Sequence, residues 1–280
     1  MNSIKGEIMS VTLLLRLMKL YVNNNLAHHI VVLIQSIMLY NIKTNLGKLN
    51  MNYMLVADNK VSNHIILRRH MQLDKMFTMK ILATADIHGS QYRLNILLKN
   101  VEIYSPDLVV VCGDITQFGP GEMAKNFLDQ IPITTFAVPG NIDTDDVGKA
   151  IDESKATNIN MRRVEKNGIP FVGINGVNPV YTTRFLNSKE KMLDESVVLV
   201  SHVPPHGLQD KVFLGMHSGS NELRELVDKY NPRLVLCGHI HEDPGITRID
   251  KTIVVNCSMG KRGEGAIIKI NKDIDVKMLG

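Results

Sequence analysis

Residues 79–90 read Met-Lys-Ile-Leu-Ala-Thr-Ala-Asp-Ile-His-Gly-Ser. The aliphatic run Ile81, Leu82, Ala83, Ala85 has the composition of a buried strand. It is broken by two side chains that bind cations, Asp86 and His88, and then by Gly89. Residues i and i+2 of an extended chain point to one side, so Asp86 and His88 can reach a common ion from the end of such a strand. An isolated Asp-x-His carries little weight, and its meaning depends on what the rest of the chain supplies.

Working outward toward the C-terminus, the pattern after residue 80 is α/β alternation. Ser90 is placed to cap a helix whose buried face carries Leu94, Leu97, Leu98 and Val101. Ser105-Pro106-Asp107 ends it, and the aliphatic run 108–112 reads as a strand buried on both faces, stopping at Gly113-Asp114. A helix is predicted over 122–130, then a strand over 133–138 that ends in Pro139-Gly140-Asn141-Ile142-Asp143. Between 144 and 195 the signal is weaker. Short strands are expected near 159–164 and 169–174, followed by a loop at 176–179 and a polar helix around 189–195. The run 197–200 ends in Ser201-His202, and a glycine-rich loop over 204–219 holds His206 and His217. Leu223, Leu226, Val227 and Tyr230 mark another helix, closed by Asn231-Pro232. Residues 234–237 form a strand ending in Gly238-His239-Ile240-His241, and the tail reads as strands at 246–249, 252–255, 266–270 and 274–278.

Working back toward the N-terminus, the texture changes. Residues 1–75 hold ten Asn, seven Met and no Pro, with nine Lys or Arg against three Asp or Glu. The net charge of +4 is therefore misleading, because residues 76–280 carry 23 bases against 25 acids. A mildly acidic body argues against a broad nucleic-acid-binding surface, whose footprint is clustered Lys and Arg. The apolar stretches 11–22 and 26–40 contain charged or polar residues and fall short of the ~20 apolar residues of a membrane span. Charges inside the stretch and the lack of a small-residue cleavage site argue against a secretory signal. We read residues 1–78 as an N-terminal extension, disordered or non-native and translated upstream of a later start at Met76 or Met79. The alternative is a peripheral amphipathic segment. The domain proper is expected over 79–280. The three cysteines have no C-x-x-C spacing; Cys112 and Cys237, each before a glycine at the end of an aliphatic run, read as buried thiols, and a reducing, cytoplasmic setting is expected.

Five strands thus end in Asp86/His88, Asp114, Asn141, His202 and His239/His241, and loops at strand carboxyl ends are where open α/β sheets bind ligands. Each residue alone has an ordinary explanation: an Asp there caps the next helix, and a His hydrogen-bonds its surroundings. Jointly those explanations fail, because four of the six histidines beyond residue 75 sit in these turns. Glycines before Asp114, Asn141 and His239 let the backbone turn the side chain inward. Seven mixed Asp, His and Asn ligands exceed what one tetrahedral ion needs and suit two ions sharing a carboxylate.

In this series, Asp86-x-His88, Gly113-Asp114, Gly140-Asn141, His202 and Gly238-His239-x-His241, the sequence resembles the calcineurin-like metallophosphoesterases over about 79–259. The stretch His202-Val-Pro-Pro-His206-Gly, with His217-Ser-Gly-Ser220 and Gly238-His-Ile-His-Glu-Asp, is similar to their Icc-related branch. The resemblance implies an αββα sandwich of two sheets with a dinuclear metal site at strand C-terminal ends. It implies that Asp86, His88 and His241 hold one divalent ion, that Asn141, His202 and His239 hold the other, and that Asp114 bridges them. Nitrogen and oxygen ligands without thiolate suit Mn, Fe or Zn. The implied reaction is hydrolysis of a small phosphomonoester or phosphodiester by a metal-bridging hydroxide, with Asp114 and Asn141 the catalytic ligands and the Asn141 amide donating to the phosphate.

The chain departs from the family at one position. Where the pattern often reads Gly-Asn-His, this sequence has Gly140-Asn141-Ile142, and isoleucine has no proton to give a leaving group. His206 and His217 are candidates for the acid or for substrate contact; a loop-stabilising hydrogen bond is the other reading of each. Arg93 and Arg184 are either substrate contacts or solvated surface residues. Two further readings of the whole chain are a non-catalytic scaffold of the same fold that binds a protein partner, and a nuclease.

Overall fold

The structure is a computed structural model and describes residues 78–280 except Glu190 and Arg262. The N-terminal extension expected over 1–78 lies outside these residues but for Thr78. Among these described residues, twelve strands build two six-stranded sheets. In the first, β1 (Met79–Thr84), β2 (Leu108–Cys112), β3 (Thr135–Val138) and β4 (Thr157–Asn158) run parallel, and β11 (Gly265–Ile270) and β12 (Ile274–Leu279) extend the β1 edge antiparallel. In the second, β6 (Ile169–Ile174), β7 (Val198–Ser201), β8 (Leu234–Cys237) and β10 (Thr252–Asn256) run parallel. Antiparallel β5 (Arg163–Lys166) and β9 (Gly245–Ile249) close its edges.

The period-2 alternation of each strand decides the layering. Ile81, Ala83, Val110, Cys112, Phe136 and Val138 of the first sheet meet Phe171, Val198, Val200, Leu234, Leu236 and Val255 of the second in one buried cluster. Phe136 and Phe171 pack edge to face across it with ring centroids 5.3 Å apart. The alternate residues Leu82, Val109, Val111 and Ala137 point the other way, onto α1 (Gln91–Tyr104), α2 (Gly121–Asp129) and α3 (Asp145–Glu153). Val172, Ile174, Leu199, Val235 and Val254 do the same for α4 (Pro179–Ser188) and α5 (Asn221–Tyr230). Strands buried on both faces become continuous aliphatic runs, as the sequence of β2 shows. The expected αββα sandwich is the observed one.

Most elements lie where the pattern put them. Ser90 caps α1 through the N–H of Arg93, and Ser220 caps α5 through the N–H of Leu223. Ser105 and Asn231 end those helices in the left-handed conformation. The weak region is the exception. Among the described residues no helix lies at 189–195, where a polar one was expected; the helix is α4, ten residues earlier, started by Asn178 accepting from the N–H of Tyr181 with Pro179 in its first turn. The cluster Gly176–Pro179 resembles a loop, and the branched Val180, Thr182 and Thr183 disfavour a helix by propensity. Burial of Thr182, Thr183 and Leu186 against the second sheet overrides that. Helix α3 was not foreseen either, although Asp145 and Asp146 in its first turn and Val147, Ala150 and Ile151 on its buried face fit a short amphipathic helix.

Candidate metal centre

Each sequence-predicted ligand follows the carboxyl end of a central strand. Asp86 and His88 follow β1, Asp114 follows β2, Asn141 follows β3, His202 follows β7, and His239 and His241 follow β8. Asp86 and His202 are fully buried, Asp114 nearly so, His88, His239 and His241 are half-buried, and Asn141 is exposed at the mouth.

The seven converge as two adjoining groups. In the first, His241 Nε2 lies 3.4 Å from Asp86 Oδ1. His88 Nε2 lies 4.0 Å from that oxygen and 3.2 Å from His241 Nε2. In the second, His202 Nε2 lies 2.7 Å from Asn141 Oδ1 and 3.4 Å from Asp114 Oδ2, and the His239 ring packs edge-on against His202 with centroids 5.1 Å apart. The same Asp114 Oδ2 is 4.0 Å from His88 Nε2, so one carboxylate oxygen faces both groups. His206 and His217 belong to neither group; their rings stack on each other in the loop after β7, centroids 5.5 Å apart.

The donor set fits divalent cations. His202 Nδ1 is 2.8 Å from the Cys112 carbonyl, which only accepts, so this nitrogen carries a proton. Nε2 is then the nitrogen that faces the Asn141 and Asp114 oxygens, both acceptors. Lone pairs converging at such distances repel unless a proton or a metal ion lies among them. Without a metal the proton serves: burial pushes the His202 pKa down most, yet the Asp114 hydrogen bond and charge, with the Asp86 charge, carry it up to about 9. Burial is also the largest influence on Asp86, pushing it up, but the His241 hydrogen bond, the His202 charge and the Ser258 hydrogen bond bring it to about 2. The Asp86 hydrogen bond raises His241, while desolvation lowers His88 and His239 and keeps their rings neutral for coordination.

The turns that aim these side chains are strained in an unexpected place. Gly113 has φ +86, but Asp86, His88, Asp114 and His239 themselves adopt left-handed φ between 51 and 69 degrees. Such non-glycine conformations cost of order 1–3 kcal/mol each and persist where the surroundings fix them. Here backbone bonds do so: Asp86 N–H to Gly113 O, His88 N–H to Asp114 O and Gly89 N–H to Ile115 O, at 2.9–3.1 Å. Gly140 is needed for a different reason, close approach, because a Cβ there would lie 2.0 Å from Asp114 Oδ1.

Two supporting residues, Asp143 and Asn256, were not singled out from the sequence, and Arg93, expected to be a substrate contact or a surface residue, supports a ligand instead. The buried Asp143 carboxylate accepts from the N–H groups of Ile115, Thr116 and Gly140 and from the Thr116 hydroxyl, at 2.8–3.1 Å, tying the Asp114 loop to the Asn141 loop. Asn256, fully buried at the end of β10, donates to the carbonyls of Ile240 and Asp243 and so holds the turn bearing His239 and His241. Arg93 donates from Nη1 to the Asp86 carbonyl at 2.8 Å. All three stand at strand or helix ends beside ligands, the only sequence signal that could have marked them. Arg184 is a surface residue 4.0 Å from Glu222.

A two-sheet sandwich whose strand ends gather these ligands defines a metallophosphoesterase, and the chain belongs to the calcineurin-like phosphoesterases, hydrolases of phosphoester bonds, whose family pattern matches residues 79–243. Among relatives, it is 37% identical over 199 residues to the uncharacterized protein MJ1162 of Methanocaldococcus jannaschii, covering 64% of this chain and 88% of that one. It is 26% identical to a probable glycerophosphodiester phosphodiesterase, GpdQ, of Arcobacter nitrofigilis, covering 56% of this chain and 64% of that protein. The fold is shared with TT1561 of Thermus thermophilus, at a TM-score of 0.52 and 17% identity, covering 72% of this chain and 99% of that one.

Proposed function

We propose that the chain hydrolyses a small phosphomonoester or phosphodiester at a centre of two divalent ions, Mn, Fe or Zn. The observation that carries this reading is the position of Asp114 Oδ2, 4.0 Å from His88 and 3.4 Å from His202, where one carboxylate serves both groups. Asp86, His88 and His241 would hold one ion, and Asn141, His202 and His239 the other. When bound, such ions supply a water made nucleophilic near neutral pH and neutralise charge on the phosphoryl oxygens.

The chain's own residues do the rest. Asp143 and the Cys112 carbonyl fix the loops and rings so that the ligands need no rearrangement when substrate arrives. Asn141 directs Oδ1 toward His202, which leaves its amide NH₂, at the exposed mouth, to donate to a phosphate oxygen. Ile142 gives its backbone N–H to Asp114 Oδ1 at 3.1 Å, and its side chain has no proton to transfer. The relative named as a glycerophosphodiester phosphodiesterase makes a diester a natural first substrate. A cytoplasmic setting accords with three buried free cysteines, and no helix among the described residues is long and apolar enough to cross a membrane.

The reading is tested by hydrolysis of p-nitrophenyl phosphate and bis-p-nitrophenyl phosphate with each metal in turn, beside Asp114→Ala. Activity with at least one metal, lost in the variant, is expected. Inactivity with every metal would favour the scaffold reading, and activity indifferent to Asp114 would place the chemistry elsewhere.

A further inference from the structure

The loop between His202 and α5 contains a built pair outside the metal groups. Asp210 is fully buried. Its Oδ2 accepts the N–H groups of Gly207 and Gly219, both at 2.9 Å, and its Oδ1 lies 2.5 Å from His217 Nδ1. Burial pushes the Asp210 carboxyl up, but the His217 bond and the two backbone bonds outweigh it and keep it ionised. An ionised carboxylate only accepts, so His217 Nδ1 carries a proton and Nε2 is the nitrogen left for other work. Among the described residues the ring makes no other hydrogen bond, and its side chain is 36% exposed while that of Asp210 is 1% exposed.

The loop that carries the pair is tied to the turn that bears His239 and His241. The strand-like pairing of Lys211 with His217 and of Pro205 with Ser220 closes the loop on itself, and the His206 ring stacks on His217. Gln209 Nε2 donates to the Asp243 carbonyl and the Lys211 N–H to the Asp243 carboxylate, each at 3.0 Å. Asn256 ties the Gln209 carbonyl to that of Ile240, the residue between His239 and His241.

We infer that His217 is the acid that replaces the missing histidine at Ile142 and that Asp210 is its positioning residue. The inference rests on the proposed phosphoester hydrolysis. As the bond from phosphorus to the leaving oxygen breaks, its electron pair stays on that oxygen, which takes the proton from Nε2 of the doubly protonated ring. His217 is left neutral with its Nδ1 proton still on Asp210. The oxygen of the attacking water ends on phosphorus, and a water-derived proton returns to Nε2 through solvent. A carboxylate orienting an imidazole in this way fixes its tautomer.

The test compares esters with nitrophenolate and alkyl leaving groups, such as p-nitrophenyl phosphate with glycerol 2-phosphate, or bis-p-nitrophenyl phosphate with a glycerophosphodiester. General acid catalysis is worth about 10²–10⁴-fold where the leaving group is poor. His217→Ala should therefore lower alkyl-ester kcat by about 10²-fold or more and nitrophenyl kcat by only a few fold, with metal content unchanged. Asp210→Asn should show the same selectivity more weakly, and the double variant should be no worse than His217→Ala. Equal loss on both leaving groups, or none, would overturn the inference while leaving the phosphoesterase reading intact, as would a wild type confined to nitrophenyl esters. A wild type inactive on every ester with every metal would overturn both.

Discussion

His202 Nδ1 lies 2.8 Å from the Cys112 carbonyl, and that bond decides which nitrogen faces the site. The proton held on Nε2 up to a pKa of about 9 must leave before a metal ion can bind there. Metal affinity should therefore rise with pH, by up to roughly tenfold per unit from this group, and flatten above about 9. Calorimetry in two buffers of different protonation enthalpy should detect proton release on metal binding; uptake that is independent of pH would refute it. In the metal-free protein the sign is opposite. The raised His202 pKa contributes stability that is full below 6.5 and lost as pH rises through about 9, while the depressed Asp86 pKa contributes stability that is full above 3.8 and lost as pH falls through about 2.

Gly140→Ala should empty the centre without unfolding the sandwich. Its new Cβ would stand 2.0 Å from Asp114 Oδ1 and 2.1 Å from Asp114 N, and neither atom can yield without moving the shared ligand. Metal content and activity should both fall by at least about tenfold, with the far-ultraviolet circular dichroism unchanged. Normal metal binding would show that Asp114 has more room than these distances allow.

Asp143→Asn should be costly although the side chains are the same size. The carboxylate serves four donors, and an amide offers a single acceptor oxygen and two donors of its own. Leaving two N–H groups unpaired should destabilise the protein by about 2–4 kcal/mol and weaken metal binding by loosening the Asp114 and Asn141 loops. Denaturant titration of the metal-free variant checks the first effect and metal titration the second. A variant as stable as wild type would show that Asp143 is replaceable.

How much of this was legible in the chain follows from what each element depends on. Strands such as Leu108–Cys112 declare themselves because burial on both faces leaves no polar position, and each ligand was found because it stands where such a run stops. Helix α4 was misplaced because Asn178-Pro179 serves equally as a turn and as a helix start, and only packing of Leu186 decides. The pairing of the two sheets came from family resemblance, since periodicity does not say which face meets which. Asp143 and Asn256 were invisible as functional residues because their work is to satisfy backbone groups of loops brought together by the fold. The turns at Asp114 and His239 were assigned to the glycines before them, and Asp86 and His88 were expected in extended chain, whereas all four residues adopt left-handed φ themselves.

We propose that 79–280 is a self-sufficient catalytic domain. Met79 is already inside the first sheet, paired with Ile270 and fully buried. A protein starting at Met79 should be soluble, melt cooperatively and keep the specific activity of the full chain. An insoluble or inactive product would assign residues 1–78 a structural or functional part.

The central claim, a centre of two ions with Asp114 between them, is tested most directly by titrating metal-stripped protein with Mn²⁺ while following both bound metal and phosphoester turnover. Two equivalents per chain are predicted, with activity complete only after the second and both sites weakened by Asp114→Ala. Full activity at one equivalent, or a variant that loses a single site and leaves the other untouched, would contradict the account.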